Sequence, residues 1–351
     1  MLKNQSILHN KNYISTGNLF FDKITSGLSI GTIALFIEDN PTKLHEIFLK
    51  YIISDGLVNN HKQFYLHSNP KSLDLLNTLP YKSTAVDAIL NSKKGTDNKS
   101  NEMKIAWRYE NIKYSNVLEE LAKNSSYIFD LSRQIQDEYY NEKLNNFTKI
   151  EIEQSNDLDK TFKMINENIV KRYSSFYGNI QENAEKTIVK FIVPNLLENF
   201  FENTKNGEKR EDYVNSIKIN MQIMRNLARS INGIIILTVS SESFSNPQNL
   251  NLIKYFSDYV FSIKSFLLEH QKLEEYDAIF TIDKLPRLLS LKSVELETDT
   301  FGLILEKKKL IIEKIDIGPE IDRTTKIKEK DVNITASQAM CSQKHSKNYE
   351  F

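Results

Sequence analysis

The segment GTIALFIEDNPTK, residues 31–43, has the pattern of a buried strand that runs into a polar turn. Its run Thr32–Ile37 is apolar and rich in β-branched side chains, which predicts a strand covered on both faces. An amphipathic helix is predicted next, over Lys43–Asn59, because apolar residues recur there at helical spacing. Together they predict the start of a strand–helix–strand unit.

The same alternation continues on both sides of the polar segments further along the chain. Strands are predicted at 63–66, 187–193 and 234–239, and helices after Asn69-Pro70, around 162–173 and over 214–227. This order predicts an α/β fold with a mostly parallel sheet flanked by helices. Short extended segments predict antiparallel strands on the C-terminal side, at 259–263, 278–282, 288–294, 301–305 and 310–315.

The chain of 351 residues is predicted to form a single domain over residues 15–321. An extension, 1–14, precedes it, and polar insertions are predicted near 91–101, 134–157 and 203–212. The charged and polar tail, 322–351, is predicted to be mobile.

Composition excludes several classes of protein. The chain has 46 basic and 46 acidic residues, so any contact with nucleic acid must come from a local patch. The one cysteine, Cys341, excludes a disulfide framework and a cysteine-rich metal centre. No apolar leader is visible and the aliphatic run Ile234–Val239 is far shorter than the ~20 residues of a membrane span. We therefore expect no membrane contact and a cytoplasmic location, with the nucleus as a second location.

A phosphate-binding loop is absent from the sequence. No two of the ten glycines are five apart, which excludes G-x-x-x-x-G-K-[ST], and no two are two apart, which excludes G-x-G-x-x-G. After the first strand stand Glu38 and Asp39, whose carboxylates would repel phosphates, and Lys43 is predicted to be a solvated lysine. Asp130 and Asp283 are the candidates for a strand-end metal ligand, although turn formation explains both equally simply.

Metal and nucleophile sites are not predicted either. The six histidines are dispersed, and only His45 and His67 are expected to approach one another at one edge of the sheet. No G-x-S-x-G elbow is present. The sequence therefore predicts no catalytic residue, no metal site and no cofactor.

Four clusters carry charge or aromatic character. Trp107 is predicted to be buried in a strand with Arg108 outward, and Leu285-Pro286-Arg287 is predicted to be a kinked extended segment. The run Lys307-Lys308-Lys309 is predicted to be a hairpin turn or a phosphate contact. Arg225 and Arg229 share one helix face, which is a candidate RNA contact, a candidate subunit contact or a solvated surface.

Several blocks occur in one order over nearly the whole chain, and in this order the chain resembles the PAXNEB family, that of Elongator complex protein 4. The most specific block is Lys104-Ile105-Ala106-Trp107-Arg108-Tyr109. The others are Ser15-Thr16-Gly17, Asp22, Gly27 with Gly31, 51–56, 129–132, Lys284-Leu285-Pro286-Arg287, Lys307-Lys308-Lys309 and 312–320.

The resemblance implies a RecA-like fold without Walker motifs. It implies a non-catalytic subunit that assembles with Elongator proteins 5 and 6 into a hetero-hexameric ring. By the same resemblance, this ring binds tRNA and joins the catalytic Elongator subunits, which place 5-carboxymethyl-type groups on the wobble uridine, U34. In such rings the loop after the most buried strand, here Ser240–Asn249, is a candidate nucleic-acid loop, although it holds no Lys or Arg.

Two other functions remain open from the sequence. One is a RecA-like ATPase with an atypical phosphate site, completed across a subunit boundary. The other is a protein–protein adaptor outside tRNA modification.

Overall fold

The computed structural model describes residues 13–39, 43–84, 127–134, 143–153, 157–178, 187–196, 210–244, 246–266, 276–286, 296 and 298–315. The strands in these ranges are β1 (Tyr13–Ile14), β2 (Leu28–Ser29), β3 (Thr32–Glu38), β4 (Lys62–His67), β5 (Pro80–Thr84), β6 (Tyr127–Gln134), β7 (Phe147–Glu151), β8 (Val189–Val193), β9 (Gly233–Ser240), β10 (Tyr259–Ser265), β11 (Ala278–Lys284), β12 (Thr300–Leu305) and β13 (Leu310–Lys314). The α-helices are α1 (Leu19–Thr25), α2 (Leu44–Val58), α3 (Leu158–Gly178), α4 (Arg210–Ser230) and α5 (Pro247–Phe256).

Nine of the described strands form one sheet in the order β13-β12-β11-β10-β3-β9-β8-β4-β7. The six strands from β10 to β7 run parallel to their neighbours, whereas β11, β12 and β13 are antiparallel. The pairs β1–β2 and β5–β6 form two small separate sheets. The predicted fold class, a mostly parallel sheet flanked by helices with antiparallel strands on its C-terminal side, is confirmed.

Two apolar layers cover the main sheet because successive side chains of a strand point to opposite faces. Ala34 and Phe36 of β3 pack with α1 and α2, whereas Ile33, Leu35 and Ile37 pack with α3, α4 and α5. β3 therefore lies at the centre of a helix–sheet–helix sandwich, as its continuous apolar run predicts.

Three sequence predictions are wrong in detail. β10 was predicted to be antiparallel but pairs in parallel with β3, because chain direction leaves no mark on a short apolar run. The predicted insertion 134–157 contains β7, which pairs with β4 as the edge strand and needs few apolar residues there. The predicted loop Ser240–Asn249 ends inside α5, which begins at Pro247 behind the capping residue Asn246.

Several predictions lie outside the described residues. They include the insertion 91–101, most of the insertion 203–212, the strand 288–294, the block 104–109 and the tail 322–351. The described elements all lie in one compact unit, Met1–Lys314. The predicted domain limits remain a prediction. No helix in the described ranges is long and apolar enough to cross a membrane.

Candidate functional site

The carboxyl end of β3 meets the N-terminus of α2 at the place where a strand–turn–helix unit would hold a phosphate. Here that place holds the side chain of Glu38, which is only 2% exposed. Glu38 Oε1 accepts a hydrogen bond from the Leu44 amide (2.7 Å), and Oε2 accepts one from the His45 amide (2.9 Å). The Nδ1 atom of His45 also contacts Oε2. The first amides of α2 are therefore used by a carboxylate of the same chain.

This arrangement explains why the residues after β3 do not resemble a phosphate loop. Amides at a helix N-terminus, together with the helix dipole, favour a bound anion. Glu38 supplies that anion internally, and Asp39 is also used, since its Oδ2 accepts a hydrogen bond from the Ser265 amide at the end of β10 (2.8 Å). Lys43 is solvated as predicted, with 73% of its side chain exposed.

Replacing Glu38 by alanine should lower the free energy of unfolding by about 2–3 kcal/mol, because two helix amides and a histidine lose their acceptor. Glu46 lies in the same first turn of α2 but is partly solvated, so Glu46→Ala should cost less than about 0.5 kcal/mol. Urea unfolding measures both values. Equal effects of the two variants would contradict the assigned role of Glu38.

The other candidate ligands are not assembled into a site. Asp130 lies on β6 in a separate two-stranded sheet and bonds Ser132, while Asp283 lies on the antiparallel β11 and pairs with Lys254. Neither follows a parallel strand, so both metal-ligand predictions are wrong. His45 and His67 follow strands three spacings apart, about 14 Å, so the expected pairing is also wrong. In the described part of the chain, no group of three or more His, Cys, Asp or Glu residues is arranged to hold a metal ion.

The Ser15-Thr16-Gly17 block folds around one carboxylate. Asp22 accepts hydrogen bonds from the hydroxyl of Ser15 (2.6 Å) and from the amide and hydroxyl of Thr16 (3.0 and 2.7 Å). Gly17 has a φ of +84°, and a Cβ there would lie 2.7 Å from the Tyr51 carbonyl oxygen. Each residue of this block is thus required by the local geometry. Burial outweighs the hydrogen bonds and raises the pKa of Asp22 to about 6.

Beneath this block lies a buried ion pair. The ammonium of Lys190, on β8, donates to Asp55 Oδ2 (3.2 Å) and to the Ile52 carbonyl (3.0 Å), and the side chains of Lys190 and Asp55 are both 0% exposed. Asp55 Oδ1 also accepts from the hydroxyl of Tyr127 (2.9 Å) and the amide of Asn59 (3.0 Å). Burial lowers the pKa of Lys190, although Asp55 opposes that shift.

Arg225 and Arg229 converge on Asp258 at the opposite, amino end of the parallel strands. Arg229 donates to Asp258 at 2.6 and 3.3 Å and also contacts the Gly31 carbonyl, whereas Arg225 lies 3.6 Å from the same carboxylate. Asp258 is buried and accepts from the Ile33 amide (3.0 Å). About a third of each arginine side chain stays exposed. Their contact with RNA or a subunit remains a prediction.

The comparison with known proteins agrees with the blocks above. The profile of the PAXNEB protein family matches residues 4–351. The chain belongs to the PAXNEB family. Among its relatives, Elongator complex protein 4 of Xenopus laevis is 24% identical over 331 residues, covering 89% of this chain and 81% of that protein. The human protein of the same name is 21% identical over 342 residues, covering 91% and 80%.

A third PAXNEB relative, Elongator complex protein 4 of Dictyostelium discoideum, is 23% identical over 360 residues, covering 92% of this chain and 77% of that protein. Among solved structures, a RecA-like ATPase domain aligns with a TM-score of 0.46 and 10% identity, covering 88% of this chain and 94% of that one.

The remaining PAXNEB-block positions are placed only in part. Lys307 and Lys308 form the exposed turn of the β12–β13 hairpin, which confirms the predicted turn, and their contact with phosphate stays a prediction. Leu285 and Pro286 follow β11 in extended conformation. Arg287 and the block Lys104, Ile105, Ala106, Trp107, Arg108 and Tyr109 lie outside the described residues.

Two structural residues of this PAXNEB protein were missed by the sequence reasoning. Lys190 is a charged residue within the apolar run VKFIV, a signal that a buried partner was needed. Asp258 directly precedes β10, and the spacing of Arg225 and Arg229 by one helical turn was the only sign of its partners.

The raised pKa of Asp22 predicts a pH dependence of stability. Since the folded chain holds this proton up to about pH 6 and the unfolded chain only to 3.8, the stabilisation is complete below about pH 4 and is lost as the pH rises through 6. Asp22→Asn should therefore gain stability relative to the native chain, by up to about 3 kcal/mol, between pH 4 and 7. Urea unfolding across this range tests it, with the exposed Asp74→Asn as the control. A constant difference between Asp22→Asn and the native chain would refute the role of Asp22.

The two arginines should differ in their effect on stability. Arg229→Met should lower the free energy of unfolding by about 2 kcal/mol, because Asp258 stays buried and loses its short hydrogen bonds. Arg225→Met should cost less than about 1 kcal/mol, since its contact is long and partly solvated. Thermal and urea unfolding of the matched pair would measure this order, and the reverse order would contradict it.

Proposed function

We propose that this chain is a non-catalytic, RecA-like ring subunit of the Elongator complex. In this proposal it assembles with Elongator proteins 5 and 6 into a hetero-hexameric ring that binds tRNA. The ring supports 5-carboxymethyl-type modification of the wobble uridine, U34, by the catalytic Elongator subunits. The observation that carries the proposal is the PAXNEB match over residues 4–351.

The geometry after β3 supports an accessory role. The amides of Leu44 and His45, which would bind a phosphate in a nucleotide-binding strand–turn–helix unit, hold Glu38 instead. A subunit that keeps the sheet and fills this position with its own carboxylate fits a place in a ring better than turnover of ATP. Its proposed location is the cytoplasm, with the nucleus as a second location.

Nucleoside mass spectrometry of bulk tRNA from cells depleted of this protein tests the proposal. We expect loss of the carboxymethyl-derived wobble uridines with other modified nucleosides unchanged, and recovery when the native chain is restored. Unchanged wobble uridines would overturn the proposal and favour an adaptor outside tRNA modification.

A further inference from the structure

An exposed aromatic ring stands on a rigid support at the C-terminus of α5. Tyr255 is 68% exposed although it belongs to a packed helix. Its ring meets Phe256 edge to face, with 5.2 Å between ring centroids and an interplanar angle of 88°. Lys284 holds the helix end, since its ammonium donates to the carbonyls of Tyr255 (2.8 Å) and Ser257 (2.6 Å). The ring is therefore presented to solvent on backbone that is already ordered.

Cations surround this ring. The Lys284 ammonium lies 5.8 Å from the centroid of Tyr255, and Lys254, the preceding residue, pairs with Asp283 at 2.9 Å. Arg225 and Arg229 stand on α4 around Asp258. Four cations thus accompany two carboxylates, which is a local positive excess in a chain whose total charge is zero.

We propose that this surface, formed by Tyr255, Arg225, Arg229, Lys254 and Lys284 and here called the Tyr255 surface, binds single-stranded RNA. An unpaired base stacks on the exposed ring of Tyr255. The neighbouring phosphates contact the cations, Arg225 first, because its 3.6 Å contact with Asp258 is longer than a hydrogen bond. The proposal rests on the proposed function, in that it names the part of this subunit that the RNA touches.

The chemistry of the surface favours RNA over a protein partner. Unpaired bases stack on aromatic side chains, and the backbone phosphates require cations at the rim, which is the combination present here. A rigid ring loses little conformational entropy on binding, since its helix end is already fixed by Lys284. An apolar protein contact would call for an apolar surround, whereas the described neighbours of Tyr255 on this surface are charged.

The test measures RNA affinity of the full chain, alone and in the co-expressed ring, with an unmodified anticodon stem-loop RNA as the probe. Tyr255→Leu should weaken binding about five-fold or more, because leucine keeps the apolar bulk but has no π-face. Tyr255→Phe is the matched control and should bind within two-fold of the native chain, an order-of-magnitude allowance for a retained ring. A fully paired RNA duplex should bind weakly to all three proteins.

The charge part of the surface has its own test. Arg225→Ala should reduce the slope of log affinity against log salt by about 0.7, the value for one phosphate contact on a single strand. Lys43→Ala removes one exposed charge from the opposite end of the sheet and should leave the slope unchanged.

Native mass spectrometry of the same variants separates the outcomes. Intact assembly with weakened RNA binding supports the Tyr255 surface. Tyr255→Leu that binds RNA like the native chain, native protein that binds no RNA, or loss of assembly with unchanged RNA affinity would each overturn it, the last by making the surface a protein interface. Failure of the proposed function appears elsewhere, as unchanged wobble uridines in depleted cells.

Discussion

Replacing Lys190 by methionine is expected to lower the free energy of unfolding by about 3–5 kcal/mol. Methionine fills the space beneath α2 but donates no hydrogen bond, so Asp55 keeps a buried charge without its cation. Tyr127 and Asn59 still bond that carboxylate, but neither neutralises it. Such a loss is a large part of the total stability of a typical domain.

The double variant Lys190→Met with Asp55→Asn provides the control for this prediction. Because it removes the uncompensated charge, it should recover at least half of the stability lost in the single variant. Chemical unfolding of the native chain, both single variants and the double variant gives the coupling energy. A loss below about 1 kcal/mol in Lys190→Met, or a double variant no more stable than the single one, would contradict the buried pair.

Alanine at Gly233 is expected to be the other most damaging substitution. Gly233 begins β9 next to β8, and a Cβ there would lie 1.8 Å from the Val189 carbonyl oxygen and 2.7 Å from its carbonyl carbon. These are backbone atoms of a central strand, so two strands of the sheet must separate. We expect a loss of more than about 3 kcal/mol and little soluble protein.

Gly302→Ala is the matched comparison for Gly233→Ala. Its Cβ would meet the ring of Tyr276 at 2.2 Å, but a side chain can turn aside where a strand backbone cannot. The loss should therefore be smaller, about 1–3 kcal/mol. Soluble yield and urea unfolding measure both variants. A Gly233→Ala protein as stable as the native chain would show that β8 and β9 are not paired in this register.

The sequence predicts the centre of the fold well and its edges poorly. β3, β8 and β9 are continuous apolar runs because both of their faces are buried, so their pattern is unmistakable. The edge strand β7 packs against few residues and therefore resembles a loop. α5 is short, but Asn246 and Pro247 at its start were signals of a helix that the polar composition concealed.

The site was predictable only as an absence. Missing glycines exclude a phosphate loop, but no local pattern shows that Glu38 turns back onto the amides of α2. Contacts between residues distant in sequence, such as Lys190 with Asp55 and Arg229 with Asp258, depend on strand order, which the pattern of residues does not specify. The PAXNEB blocks identified the family, and the structure shows what Asp22 and Gly17 do within it.

The central claim is that Glu38 occupies the place of a nucleotide phosphate, so this chain holds the fold without binding nucleotide there. Titration of the purified full chain with ATP and Mg²⁺, followed by calorimetry, tests it most directly. We predict no magnesium-dependent binding at micromolar concentrations of nucleotide. Micromolar, magnesium-dependent affinity would contradict the account and support a RecA-like ATPase with an atypical phosphate site.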